Sequence, residues 1–172
     1  FSKTAPQSDS HEINFRFRLV FSDNLIPFNP SNTDTDEVHY AKSLRTQEVN
    51  PGVFMVIEET LRTFVQLSQQ HGFVPIVTCM PSAYTTYAAN VVFDEPVLND
   101  LMPWFAREQC QYLEKQGEEL GYVFVDLTPA FQAAARSNGW QDLLYYRYDL
   151  HLTPSGHTVV AKTMSHVLRD LN

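Results

Sequence analysis

Asp149 and His151 stand two residues apart in the run Tyr148-Asp149-Leu150-His151-Leu152-Thr153-Pro154-Ser155-Gly156-His157. An imidazole beside a carboxylate supplies two of the three groups that activate a nucleophile: His151 as general base and Asp149 as the carboxylate that orients it and stabilises the imidazolium. Thr153-Pro154 immediately downstream reads as a helix start, which places both side chains on a loop where they can converge on a substrate. The competing reading of the same residues is a surface turn in which Asp149 caps the helix from Pro154. His157, in the first turn of that helix, reads as structural.

Other residues invite weaker assignments. Ser82 follows a strand and is the serine best placed to act as a surrogate nucleophile, although Pro-Ser is also ordinary loop chemistry. Asp126 ends a strand just before a helix and reads as a brace that hydrogen-bonds the backbone of the turn. Tyr84, Tyr87, Tyr145, Tyr146 and Tyr148 offer flat apolar faces with polar tips, suited either to walling a sugar cleft or to plain packing. His11, His39, His71 and His166 have no metal-ligand spacing with one another or with Cys79 and Cys110, so no metal site is expected. Cys79 falls in an apolar strand-like run and Cys110 in a helical one; both read as buried free thiols, with a bridge or a metal pair as the lesser alternative.

The elements that must position these groups follow from periodicity and punctuation. Phe15-Arg16-Phe17-Arg18-Leu19-Val20-Phe21 alternates as a strand does. Residues 22–49 read as a long loop with a short helix near Glu37 to Leu44. Asn50-Pro51, Thr128-Pro129 and Thr153-Pro154 each pair a capping side chain with proline at the first helical position. The first of these helices places Phe54, Ile57, Leu61, Phe64 and Val65 on one face and stops at Gly72. Phe73 to Cys79 and Tyr122 to Asp126 read as buried strands. A loop from Met80 to Phe93 separates the first of these from a helix over roughly 95–120 that is kinked or restarted at Pro103.

Alternating strands and helices imply βαβ units: a three-layer α/β/α domain with a mostly parallel sheet and its active site beyond the strand carboxyl ends. Residues 1–11 read as a disordered lead-in and residues 12–172 as a single domain. A flavodoxin-like nucleotide binder is the weaker form of this fold, since no phosphate-cradling glycine loop follows a strand and the chain has only 6 glycines.

The Asp149–His157 run resembles the final block of the SGNH, or GDSL-type, hydrolase family. Its Asp-x-His spacing departs from the usual Asp-x-x-His and is closer to the branch holding alginate-type O-acetyltransferases. Phe124-Val125-Asp126-Leu127-Thr128-Pro129-Ala130-Phe131 resembles the strand and turn preceding that block, and Pro81-Ser82 followed by Tyr87 resembles a loop of the same branch. The resemblance spans about residues 50–171. It implies an ester hydrolase or O-acyltransferase, acting without a cofactor on a small or carbohydrate-borne ester. The family's Gly-Asp-Ser nucleophile block and its Gly-x-Asn-Asp block are not recognisable here. The expectation is therefore that the sheet is incomplete on its N-terminal side, with the nucleophile upstream. Ser22-Asp23-Asn24 would then fall where the third family block does, with Asn24 as a degenerate oxyanion donor; Ser22-Asp23 as a scrambled nucleophile turn is the lesser alternative. An inactive, glycan- or partner-binding relative is the rival function.

A net charge of −8 over 172 residues, without a Lys/Arg cluster, argues against nucleic acid and anionic membranes as partners. No apolar run approaches the roughly 20 residues of a membrane span. An incomplete sheet would expose an edge, so a homodimer paired through Phe15 to Phe21 is expected. Localisation is left open.

Overall fold

The computed structural model describes residues 15–29, 35–48 and 51–171. The lead-in expected over residues 1–11 and the Asn50 cap lie outside them. The architecture is mixed α/β, with two small sheets and helices packed around one shared core.

Alternation along the first strand, β1 (Phe17–Phe21), buries Phe17 and Leu19 and exposes Arg18 and Val20. A two-residue turn at Ser22-Asp23 returns the chain into β2 (Asn24–Phe28), antiparallel to β1 with Phe17 opposite Phe28 and Phe21 opposite Asn24. Ser22 takes φ of 44°, the left-handed backbone that two-residue hairpins require. Pro27 is tolerated because β2 is an edge strand.

α1 (Thr35–Thr46) and α2 (Pro51–His71) follow, and α2 stops as expected at Gly72, whose amide donates to the Ser68 carbonyl at φ 69°. β3 (Ile76–Cys79) begins just after Pro75, where ladder hydrogen bonds become possible. The segment expected to be a loop from Met80 to Phe93 contains a single helical turn, α3 (Ala83–Thr86), and a third antiparallel strand, β4 (Val91–Phe93), paired with the other side of β1. α4 (Leu98–Leu120) runs unbroken through Pro103 and ends at Gly121, so of the two expectations at Pro103, kink or restart, the restart does not occur. β5 (Val123–Asp126) pairs parallel with β3, in register from Ile76–Val123 to Cys79–Asp126. α5 (Thr128–Asn138) and α6 (Pro154–Asp170) complete the chain.

Among the described residues the parallel arrangement is thus confined to β3 and β5, and the larger sheet, in the order β2-β1-β4, is antiparallel. The alternating in/out pattern of β1 suits a strand with one solvated face, the usual condition of antiparallel sheets. Because β1 is flanked on both sides, it is not the open edge through which dimerisation was expected. Its buried face forms an aromatic row: Phe28, Phe17 and Phe93 lie side by side, with ring centroids 4.9 Å and 5.5 Å apart, and Tyr84 meets Phe17 edge-on. Leu98, Leu101, Met102 and Phe105 of α4 join this cluster, as do Val125, Leu127 and Phe131 from the second sheet and α5. No helix among the described residues is long and apolar enough to cross a membrane.

Candidate functional site

The carboxyl ends of β3 and β5 open into a cleft of about 780 Å³. Its walls come from the turn after β3 (Met80, Pro81, Ser82), from α4 (including Arg107 and Glu114), from Asp126, and from Leu150, His151 and Leu152. Ligand crevices of open α/β sheets lie at this same end of parallel strands.

The segment carrying Asp149 and His151 is held by backbone bonds at its base. Tyr145 and Leu152 form an antiparallel bridge, the Tyr146 amide donates to the His151 carbonyl at 2.8 Å, and the Thr153 amide donates to the Leu144 carbonyl at 3.0 Å. The loop carrying the pair is thus pinned at its base by one isolated antiparallel bridge. Below it, the Thr153 hydroxyl donates to the Leu143 carbonyl at 2.6 Å and accepts from the Gly156 amide, so the expected cap of α6 is present. The Tyr87 hydroxyl accepts the Leu144 amide at 2.7 Å, and the buried Tyr145 hydroxyl donates to the Pro81 carbonyl across the cleft floor. Burial pushes the Tyr87 phenol up to about 12 and raises that of Tyr145 further, so both remain neutral donors or acceptors.

On this base, Asp149 and His151 meet. Asp149 Oδ1 lies 3.5 Å from His151 Nδ1 and also accepts the His151 amide at 3.0 Å. The separation is longer than a formed hydrogen bond, though within the range that tightens when a site engages substrate. Both side chains are open to water, at 82% exposure for His151 and 53% for Asp149, so their mutual attraction contributes at most about 1 kcal/mol. Leu150, between them, takes φ of 58°. A leucine in left-handed backbone costs roughly 1–2 kcal/mol, and such strain collects at functional turns. Only His151 of the pair lines the cleft; Asp149 stands behind it.

The remaining sequence-derived candidates separate. Ser82 lines the cleft, but its hydroxyl caps α3, accepting the Thr85 amide at 3.3 Å and sharing a hydrogen bond with Thr85 Oγ1 at 2.9 Å. Asp126 braces its turn as expected, with Oδ1 accepting the Thr128 amide at 2.8 Å; this makes Thr128 the first helical residue, so it is not the cap. Tyr84 borders the cleft with its ring buried and its hydroxyl on Glu37. Tyr148 does not line the cleft: it is 60% exposed, with the Arg147 guanidinium over its ring. Asn24 does not reach the cleft either, since hairpin pairing places it opposite Phe21 in the other sheet.

The reading of Cys79 and Cys110 as free thiols is overturned. The two are joined as a disulfide across a sequence separation of 31, tying the end of β3 to the middle of α4, and both line the cleft. Arg107 and Gln132, also in the cleft wall, carried no signal in the sequence; Gln132 Nε2 donates to the Thr85 carbonyl at 3.1 Å and ties α5 to α3. Cys79, Cys110 and Asp126 form the one cluster of potential metal ligands among the described residues.

No protein-family model, curated protein or solved structure matches the chain.

Proposed function

We propose that this protein is an SGNH-like ester hydrolase or O-acyltransferase in which His151 is the general base and Asp149 its orienting carboxylate. The observation that carries the reading is the meeting of Asp149 and His151 at 3.5 Å on the rim of a cleft at the carboxyl ends of β3 and β5. In this reading β3 and β5 are the central strands of a three-layer α/β/α sheet, and the attacking serine comes from outside the described residues, since the Ser82 hydroxyl is spent as a helix cap. His151 takes the serine proton as the oxygen attacks the acyl carbon, then returns it to the departing alcohol. The cleft accommodates a small acyl ester or one carried on a sugar, and Arg107, which has no ion-pair partner among the described residues, supports a polar or anionic substrate. Self-association, if it accompanies this function, falls to the outer edges of β3 and β5, which have no strand partner among the described residues.

A second reading, a binding module without turnover, is favoured by one observation. The Asp149 oxygen facing the imidazole already accepts the His151 amide, as it would in a purely structural turn.

Aryl acetate turnover separates the two. The enzyme reading expects His151→Ala to lower kcat by on the order of 10⁴ or more, with His157→Ala and Ser82→Ala close to wild type. Equal losses in the His151 and His157 variants would overturn the assignment of the base. Absence of turnover in the full-length wild-type protein, with retention of an acylated glycan, would establish the binding module.

A further inference from the structure

Three side chains at the cleft floor have no part in acyl-transfer chemistry. Cys79 closes β3 and stands in register with Asp126, which closes β5. Cys110 reaches them from α4, and the donor atoms of all three lie within 4.8 Å of one another. Cys79 is buried, Cys110 half-buried and Asp126 exposed, so the cluster runs from the core to the open cleft. Asp126 Oδ1 accepts the Thr128 amide, and its Oδ2 has no hydrogen-bond partner among the described residues.

We infer that, once the Cys79–Cys110 disulfide is reduced, Cys79, Cys110 and Asp126 form a three-ligand site for a thiophilic divalent cation of the zinc type, with a fourth coordination position facing the cleft. The reduction is a thiol–disulfide exchange with a dithiol. One thiolate of the reductant attacks a protein sulfur and breaks the S–S bond, forming a mixed disulfide. The second thiol closes the reductant into its own disulfide, and the protein is left with two thiols. Both cysteines line the cleft, so a small dithiol has a path to the bond. Cation binding then releases the two thiol protons to solvent. Two thiolates and a carboxylate suit zinc rather than magnesium or calcium, which favour oxygen ligands. Tetrahedral coordination with metal–sulfur bonds of about 2.3 Å spaces the sulfurs about 3.7 Å apart, so the two sulfurs, bonded in the oxidised protein, must separate on reduction to receive the cation, while Asp126 already stands within 4.8 Å of both. Three protein ligands with an open fourth position is the layout in which zinc holds a water or a substrate oxygen. The inference does not depend on the role of His151.

The test is titration of the full chain with cobalt(II), before and after reduction by a dithiol that is then removed under anaerobic conditions. The expected result is one equivalent bound by the reduced protein with thiolate-to-cobalt charge-transfer absorption, displaced by zinc, and none bound by the oxidised protein. Cys110→Ser should abolish the band. Asp126→Asn, which keeps an acceptor for the Thr128 amide, should keep the fold and weaken binding at least about tenfold. Absence of the band in the reduced wild type, its persistence in Cys110→Ser, or unchanged affinity in Asp126→Asn would each overturn the site. So would loss of circular dichroism on reduction that zinc fails to restore.

Discussion

The Leu144 carbonyl oxygen occupies the space where a side chain on Gly156 would begin, well inside van der Waals contact, and Leu152 Cδ2 lies 3.0 Å from that same position. This contact, with the bonds from Thr153 to Leu143 and Leu144, seats the start of α6 on the backbone that leads to Asp149 and His151.

Gly156→Ala should therefore destabilise the protein by about 1–3 kcal/mol, because the nearest neighbour is backbone and cannot rotate aside. The loss should appear as a fall in Tm of roughly 2–4 °C per kcal/mol in a chain of this size. A melting curve identical to wild type would show that the seat of α6 is not as tight as the geometry requires.

Tyr87→Phe removes the acceptor of the Leu144 amide and should cost about 1–3 kcal/mol. The wild type should also lose stability in alkali. Burial raises the Tyr87 phenol from 10.0 to about 12, so the unfolded chain gives up its proton first. The stabilising contribution is complete below pH 10, declines between about pH 10 and 12 and is then exhausted. Urea midpoints across that window should fall more steeply for wild type than for the variant.

Asp149→Asn and Asp149→Ala distinguish the two tasks of this side chain. Asparagine retains an acceptor for the His151 amide and should leave stability within about 0.5 kcal/mol of wild type. If Asp149 also orients the imidazole, the same variant should lower aryl acetate turnover by on the order of 10²–10⁴. Turnover that follows thermal stability across both variants would reduce Asp149 to a turn residue.

The Cys79–Cys110 bond closes a loop over a sequence separation of 31, and in the oxidised protein should contribute about 3–4 kcal/mol by restricting the unfolded chain. Mass spectrometry of the denatured, unreduced chain should find no alkylated cysteine. Chemical unfolding with and without a dithiol should show the stability difference, and two freely alkylated thiols in protein prepared under oxidising conditions would contradict the pairing.

Several helix ends with local causes were readable in the sequence, although Thr128, expected as the cap of α5, is its first helical residue. Gly72 and Gly121 stop α2 and α4 with left-handed backbone, and Thr153 caps α6, because each feature depends on residues within one turn. The Asp149–His151 pair was legible for the same reason: two residues apart, they meet across a single turn at Leu150. Asp126, bracing the amide two residues on, is of the same kind.

What depended on distant partners was decided by the tertiary structure. The alternation of Phe17, Arg18 and Leu19 marks a half-buried strand but does not name its neighbours, and β2 and β4 claimed both of its edges. Asn24 was thereby directed away from the cleft that Ser82 and His151 share. Cys79 and Cys110 showed only local apolar surroundings; α4 had to pack over the end of β3 before their sulfurs could meet. Short-range hydrogen bonding and periodicity are properties of a segment and can be read from its residues. Strand pairing, disulfide partnership and cleft lining are properties of the whole chain's packing, and a one-dimensional pattern does not contain them.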